Sequence, residues 1–312
     1  MIATFESILP IFLLIAAGHL LRRIRMVDDA AWPGLEQLGY WFLYPALLFV
    51  TIYNADFSGL EWNGMLAALA IAIVATGAGT VLLWLPLHRF GLATAGEFSS
   101  MFQTSVRWNG FMALAIADKI FPQEGAAVVA LMMAFIIVPI NIESVIVVSR
   151  FADRTANWSR ILRTIALNPL ILASLAGLAL RFLPLGFYEP FNQTLDLVGR
   201  AALGMGLLTI GAGLRPADVL RPRVPVLLPV VIKLIVFPAL LVSLAWAFGV
   251  DGHQLRYLAL CAAVPTAMNG YLLARQLGGD AELYAAVTTV QTAASFFTIP
   301  AVLAITGYVI SG

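Results

Sequence analysis

Apolar runs of roughly twenty residues recur along almost the whole chain, each long enough to cross the hydrocarbon core of a bilayer. Together with the polar and Pro/Gly punctuation between them, they predict ten spans. These lie near residues 4–22, 36–54, 63–87, 97–119, 125–149, 161–182, 192–213, 224–248, 253–275 and 281–309. Two of the ten are not uniform. The fourth contains SVRWNGFMALA at 105–115 and the ninth contains VPTAMNGYLLA at 264–274, so an Asn-Gly pair interrupts each.

Composition agrees with the pattern. Of 312 residues, 61% are hydrophobic and 11% charged, with mean hydropathy +0.92. A soluble domain carries about 25% charged residues, so the expectation is an all-α polytopic membrane protein whose surroundings are the lipid bilayer. The net charge of +1 predicts no nucleic-acid partner, and the single Cys261 excludes an internal disulfide or a thiolate metal cluster. The first run follows MIATFES, which lacks the basic stretch of a secretory signal, and predicts a retained first helix.

Cationic residues orient the spans. With the amino terminus outside, twelve arginines fall in inner loops, against Lys119, Arg181 and Arg256 in outer ones. Arg107, Arg200 and Lys233 lie within spans. This positive-inside bias predicts a plasma (inner) membrane protein with both termini on the non-cytoplasmic side.

The chain also repeats itself. Pro10, Gly18 and Arg22 in span one match Pro169, Gly177 and Arg181 in span six, each 159 residues on. Asn109-Gly110-Phe111 matches Asn269-Gly270-Tyr271 at 160, and Pro139 matches Pro300 at 161. Residues 1–150 and 155–312 are thus two five-helix repeats. Five is odd, so the second copy enters the membrane inverted, an arrangement that places a transporter's site near the midplane.

Breaking a membrane helix exposes amide and carbonyl groups, each worth several kcal/mol if left in hydrocarbon. The break survives only within protein or beside a wet cavity. Asn109 and Asn269 can cap new half-helices. Gly110 and Gly270 permit unusual backbone angles or close approach, and Pro265 lacks an amide donor. Two half-helix amino ends, with Arg107 beside them, make a site for a carboxylate-type anion.

The ten-span layout, the NG break in span four, and VPTAMNGYLLARQLGGD leading to TTVQTAASFFTIP resemble the auxin efflux carrier family, in particular its bacterial organic-acid permeases. The resemblance covers essentially the whole chain. It implies a fold similar to sodium/proton antiporters, with broken helices four and nine crossing. Helices 1, 2, 6 and 7 would form a scaffold and helices 3–5 and 8–10 a transport unit, and the protein would be a homodimer. The implied function is secondary transport of a small organic anion, with crossover residues at Asn109 and Asn269. Plant members carry proline at both crossovers; here Ser105 stands opposite Pro265, and no long central loop of the plant type is present. A small carboxylate is therefore favoured over auxin.

Other polar positions keep two readings. Arg107 binds substrate or pairs with an acid such as Glu143. Glu143 in NIESVIVV is a candidate for proton coupling, or an ion-pair anchor for Arg107 or Lys233. Lys233 is a central buried cation or a snorkelling one. Asp196 and Arg200 have the spacing of a local helical salt bridge. Gln291, Thr288 and Thr292 are possible polar lining, although hydroxyls often bond their own helix. No HExxH, CxxC, GxSxG or P-loop motif occurs. A metal site, a cofactor and enzymatic activity are accordingly not expected. The rival readings are a sodium-coupled symporter or cation/proton antiporter on the same fold and, from another class, a membrane-embedded enzyme or sensor.

Overall fold

The computed structural model describes residues 2–54, 62–151, 159, 163, 166–182, 188–214, 223–267 and 270–311. Among these, every regular element is helical. In chain order they are α1 (Ile2–Arg23), α2 (Trp32–Tyr53), α3 (Trp62–Arg89), α4 (Ala95–Val106), α5 (Gly110–Ile120) and α6 (Gln123–Phe151). The second half has α7 (Pro169–Phe182), α8 (Glu189–Gly213), α9 (Val224–Ala247), α10 (Gly252–Ala263), α11 (Gly270–Leu277) and α12 (Ala281–Ser311). Six of them, α2, α3, α6, α8, α9 and α12, are long and apolar enough to cross a membrane. The interrupted runs give shorter pieces, α4 with α5 and α10 with α11.

Prolines shape two of the long helices. Tyr44 and Phe237 each precede a proline, and each N–H reaches back five residues, to the carbonyls of Gly39 and Ile232. Proline has no N–H to continue the regular ladder, so a π turn absorbs the mismatch.

Packing divides by chemistry. α1 lies chiefly on α8, and α2 on α7 and α8. A Cβ on Gly18 would overlap the Leu208 carbonyl, and one on Gly177 would come within 2.8 Å of the Phe49 carbonyl. The Arg22 guanidinium donates to the Ala212 carbonyl at 2.8 Å, and that of Arg181 to the Tyr53 carbonyl at 3.0 Å. These contacts are reciprocal. Shifting Gly18, Arg22, Phe49 and Tyr53 by 159 residues gives Gly177, Arg181, Leu208 and Ala212. The same pairs therefore form twice, with the repeats exchanging roles.

The remaining helices surround the interruptions. α4 packs on α6, α9 and α12, while α10 packs on α9, α12 and α6. Residues 98–110 and 257–267 are buried without a break. Protein, rather than lipid, therefore encloses the described residues of both interruptions, the condition under which unpaired backbone is tolerated at membrane depth.

Candidate functional site

The first interruption begins where Arg107 turns extended, at φ −67° and ψ 153°, its N–H still bonded to the Gln103 carbonyl at 2.9 Å. Ser105 remains helical and buried, its Oγ donating to Met101 C=O at 2.8 Å. The break therefore falls just beyond Ser105, the residue matched to Pro265. Asn109 starts α5: its Oδ1 accepts the Met112 N–H at 3.1 Å. That is the cap the sequence predicted. Gly110 does not have a positive φ. Its role is close approach, because a Cβ would sit 2.5 Å from Met133 Sδ on α6.

The second interruption begins at Val264, also extended, as expected of a residue before proline. Asn269 lies outside the described residues. Gly270 opens α11, and a Cβ there would overlap the Tyr284 hydroxyl. That hydroxyl donates to Ala267 C=O at 2.5 Å and lies 3.2 Å from Thr266 Oγ1. Again the glycine makes room for a side chain and adopts no left-handed backbone.

The two interruptions meet. Asn109 N–H donates to Pro265 C=O at 2.7 Å. Beside this contact Arg107 is 7% exposed. One Nη2 donor reaches Asn141 Oδ1 at 3.1 Å, while Nε has no partner. Among the described residues no carboxylate pairs with Arg107. Tyr40 and Tyr284 lie within electrostatic reach of its charge. The expected alternative of an Arg107–Glu143 ion pair is therefore not formed. Asn141 and Glu143 are two residues apart on α6, so their side chains leave the helix in nearly opposite directions. Glu143 points at Gly77 of α3, where a Cβ would come 2.7 Å from its Oε2, and that oxygen has no hydrogen-bond partner.

Lys233 does not snorkel. It is fully buried in the π turn of α9, donates to Ala262 C=O at 3.1 Å, and lies 4.3 Å from the Phe237 ring centroid. Ala262 is in the last turn of α10, whose carbonyls lack helical donors and favour a cation. Nor does Lys233 form an ion pair with Glu143, whose Oε2 stays unpartnered.

The model of the membrane transport protein family matches residues 3–303. The chain belongs to this family, that of the auxin efflux carriers. It is an integral membrane protein. A Rhizobium meliloti (strain 1021) protein named "Putative malonate transporter" is 29% identical over 146 residues, covering 46% of this chain and 45% of that protein. The chain thus matches less than half the length of that relative. A Methanothermobacter thermautotrophicus protein named "Uncharacterized transporter" is 22% identical over 298 residues, 95% of this chain and 96% of that protein.

Within this family member, the remaining predicted polar residues separate. Asp196 and Arg200 form the expected i,i+4 salt bridge at 2.8 Å, on an exposed surface. Thr288 and Thr292 bond back to their own helix, to Tyr284 and Thr288 carbonyls at 2.8 Å. Gly278-Gly279-Asp280 forms a turn and cap, Gly278 having φ +84° and Asp280 Oδ1 accepting the Leu283 N–H at 2.9 Å. A cavity of about 360 Å³ at the ends of α1 and α8, lined by His19, Arg22, Arg23 and Asp29 among others, includes none of the interruption residues.

Sequence reasoning missed Asn141, Tyr284 and Gln103. Asn141 stood in the same NIESVIVV stretch as Glu143, where the charge drew attention instead. Gln103 is fully buried with both amide atoms unpartnered. Its signal was a polar residue one turn before an interruption.

Proposed function

We propose that the protein is a secondary carrier for a small organic anion, a mono- or dicarboxylate, working by alternating access around the meeting point of the interruptions. The observation that carries this is the 2.7 Å hydrogen bond from Asn109 N–H to Pro265 C=O, formed beside a buried arginine with an unused donor. A buried guanidinium without a carboxylate partner calls for an anion, and its planar fork suits a carboxylate. The capped start of α5 adds the positive end of a helix dipole. The name of the Rhizobium relative makes malonate the first substrate to try.

Ten spans in two inverted five-helix repeats form the architecture of this reading, with both termini outside a plasma membrane. Support comes from the reciprocal Arg22–Ala212 and Arg181–Tyr53 contacts. α1, α2, α7 and α8 serve as scaffold and dimer face, and the other helices as transport unit. A cation/proton antiporter on the same fold is disfavoured because stretches 105–110 and 264–270 contain no Asp or Glu.

Labelled malonate counterflow in proteoliposomes, competed with mono- and dicarboxylates under pH and sodium gradients, tests the proposal. Saturable exchange by wild type supports it; a folded protein that exchanges none of the panel refutes it. Coupling is assigned to Glu143, whose carboxyl is turned towards α3 and would link substrate movement to α3–α6 packing. The expected result is that Glu143→Gln exchanges malonate but no longer responds to a pH gradient. A retained response removes Glu143 from coupling.

A further inference from the structure

We propose that Gln291 of α12 is the positioning residue that fastens the two interruptions to each other and to α9, so that both rearrange together when access alternates. The inference rests on the carrier reading above.

Gln291 is fully buried. Its Oε1 accepts the Thr266 N–H at 2.8 Å, and its Nε2 donates to Thr104 C=O at 2.9 Å and to Pro229 C=O at 3.1 Å. Two of the three groups, Thr104 C=O and Thr266 N–H, are ones that local structure leaves short of a partner, while the third, Pro229 C=O, also accepts the Ile232 N–H. Thr104 belongs to the last turn of α4, where carbonyls have no helical donor. Thr266 is the first amide after Pro265, beyond the end of α10. Pro229 lies just before the π turn of α9, where the regular ladder shifts. One buried side chain therefore serves three elements.

The side-chain chemistry fits this task narrowly. A primary amide offers one carbonyl acceptor and two donors, the complement of one N–H and two C=O groups. An ionised glutamate keeps the acceptor but turns lone pairs towards both carbonyls. Leucine keeps the volume and loses all three bonds, and asparagine is one methylene short. A second tie, Asn109 N–H to Pro265 C=O, runs between the interruptions without touching Gln291. It reports whether Gln291 acts on both sides or on one.

The test compares wild type, Gln291→Leu and Gln291→Glu in lipid bilayers, by residue-resolved amide exchange and by malonate counterflow, at pH 5.5 and pH 8. In Gln291→Leu, exchange rises about tenfold or more at Thr266 and also at Asn109, as expected when a buried hydrogen-bond partner is removed. In Gln291→Glu both amides exchange fast relative to wild type at pH 8 and slow again at pH 5.5, where a protonated carboxyl regains one donor. Malonate counterflow of Gln291→Glu follows, falling about tenfold against wild type at pH 8 and recovering in acid. Faster exchange confined to Thr266 makes Gln291 a local cap and overturns the proposal. So does a Gln291→Glu variant whose exchange and transport keep the wild-type pH profile. If wild type exchanges none of the mono- and dicarboxylate panel, the carrier reading fails, while the amide exchange still decides whether the interruptions are fastened.

Discussion

The α1–α2–α7–α8 group and the region of the interruptions both rely on glycine for close packing, but the atoms their glycines meet are different. In the first, backbone predominates: Gly18 and Gly211 meet the carbonyls of Leu208 and Ile15, Gly177 meets that of Phe49, and Gly199 meets the Leu47 Cα, while Gly206, which faces the Tyr44 hydroxyl, is an exception. In the second, Gly110 faces the Met133 thioether, Gly270 the Tyr284 hydroxyl and Gly77 the Glu143 carboxyl. Backbone in a helix cannot step aside, whereas a side chain can change rotamer. Under the proposed carrier reading, the difference marks α1, α2, α7 and α8 as the part expected to stay fixed and the surroundings of the interruptions as the part expected to repack.

Breaking the fixed side should give the largest effect. Gly18→Ala forces α1 and α8 apart and is expected to lower stability by about 3 kcal/mol, read as a large fall in Tm in detergent. A variant as stable as wild type would remove the contrast. Next comes Arg107→Gln, which should leave Tm nearly unchanged and lower malonate counterflow about tenfold or more, the scale of a lost charge-assisted hydrogen bond. A large Tm loss with transport retained would make Arg107 structural. Gly110→Ala is smaller: the flexible end of Met133 yields, and the expected loss is under about 1 kcal/mol. If Gly110→Ala is as damaging as Gly18→Ala, side-chain contacts are no softer than backbone ones. The smallest effect belongs to Asp196→Asn, where an exposed pair breaks and no measurable change in Tm or transport is expected.

The legible part of the fold came from residues whose effect is local. Proline and asparagine act on their own backbone, so the interruptions were readable as interruptions, and the cap at Asn109 followed from its type. The constant offset of Gly18/Gly177 and Arg22/Arg181 was readable because a contact formed twice needs the same residue twice. Less was legible about partners. Glu143 and Asn141 sit two positions apart on one helix, and no sequence rule says which of them faces Arg107. The glycines were expected to serve either angle or approach, and only their neighbours decide for approach. Gln291 looked like ordinary polar lining, because its three bonds reach residues 25, 187 and 62 positions away.

By itself, the sequence determined that the chain is helical and apolar enough for a membrane, and where two of its helices must stop. Those properties arise from each residue's own hydration and backbone limits. Tertiary structure alone decided through which atoms the two stops touch, that Arg107 meets an amide in place of an acid, and that one glutamine joins three elements. The reason is that a buried polar group takes whichever partner folding brings within hydrogen-bonding distance, and that distance is set by helices far apart in the chain.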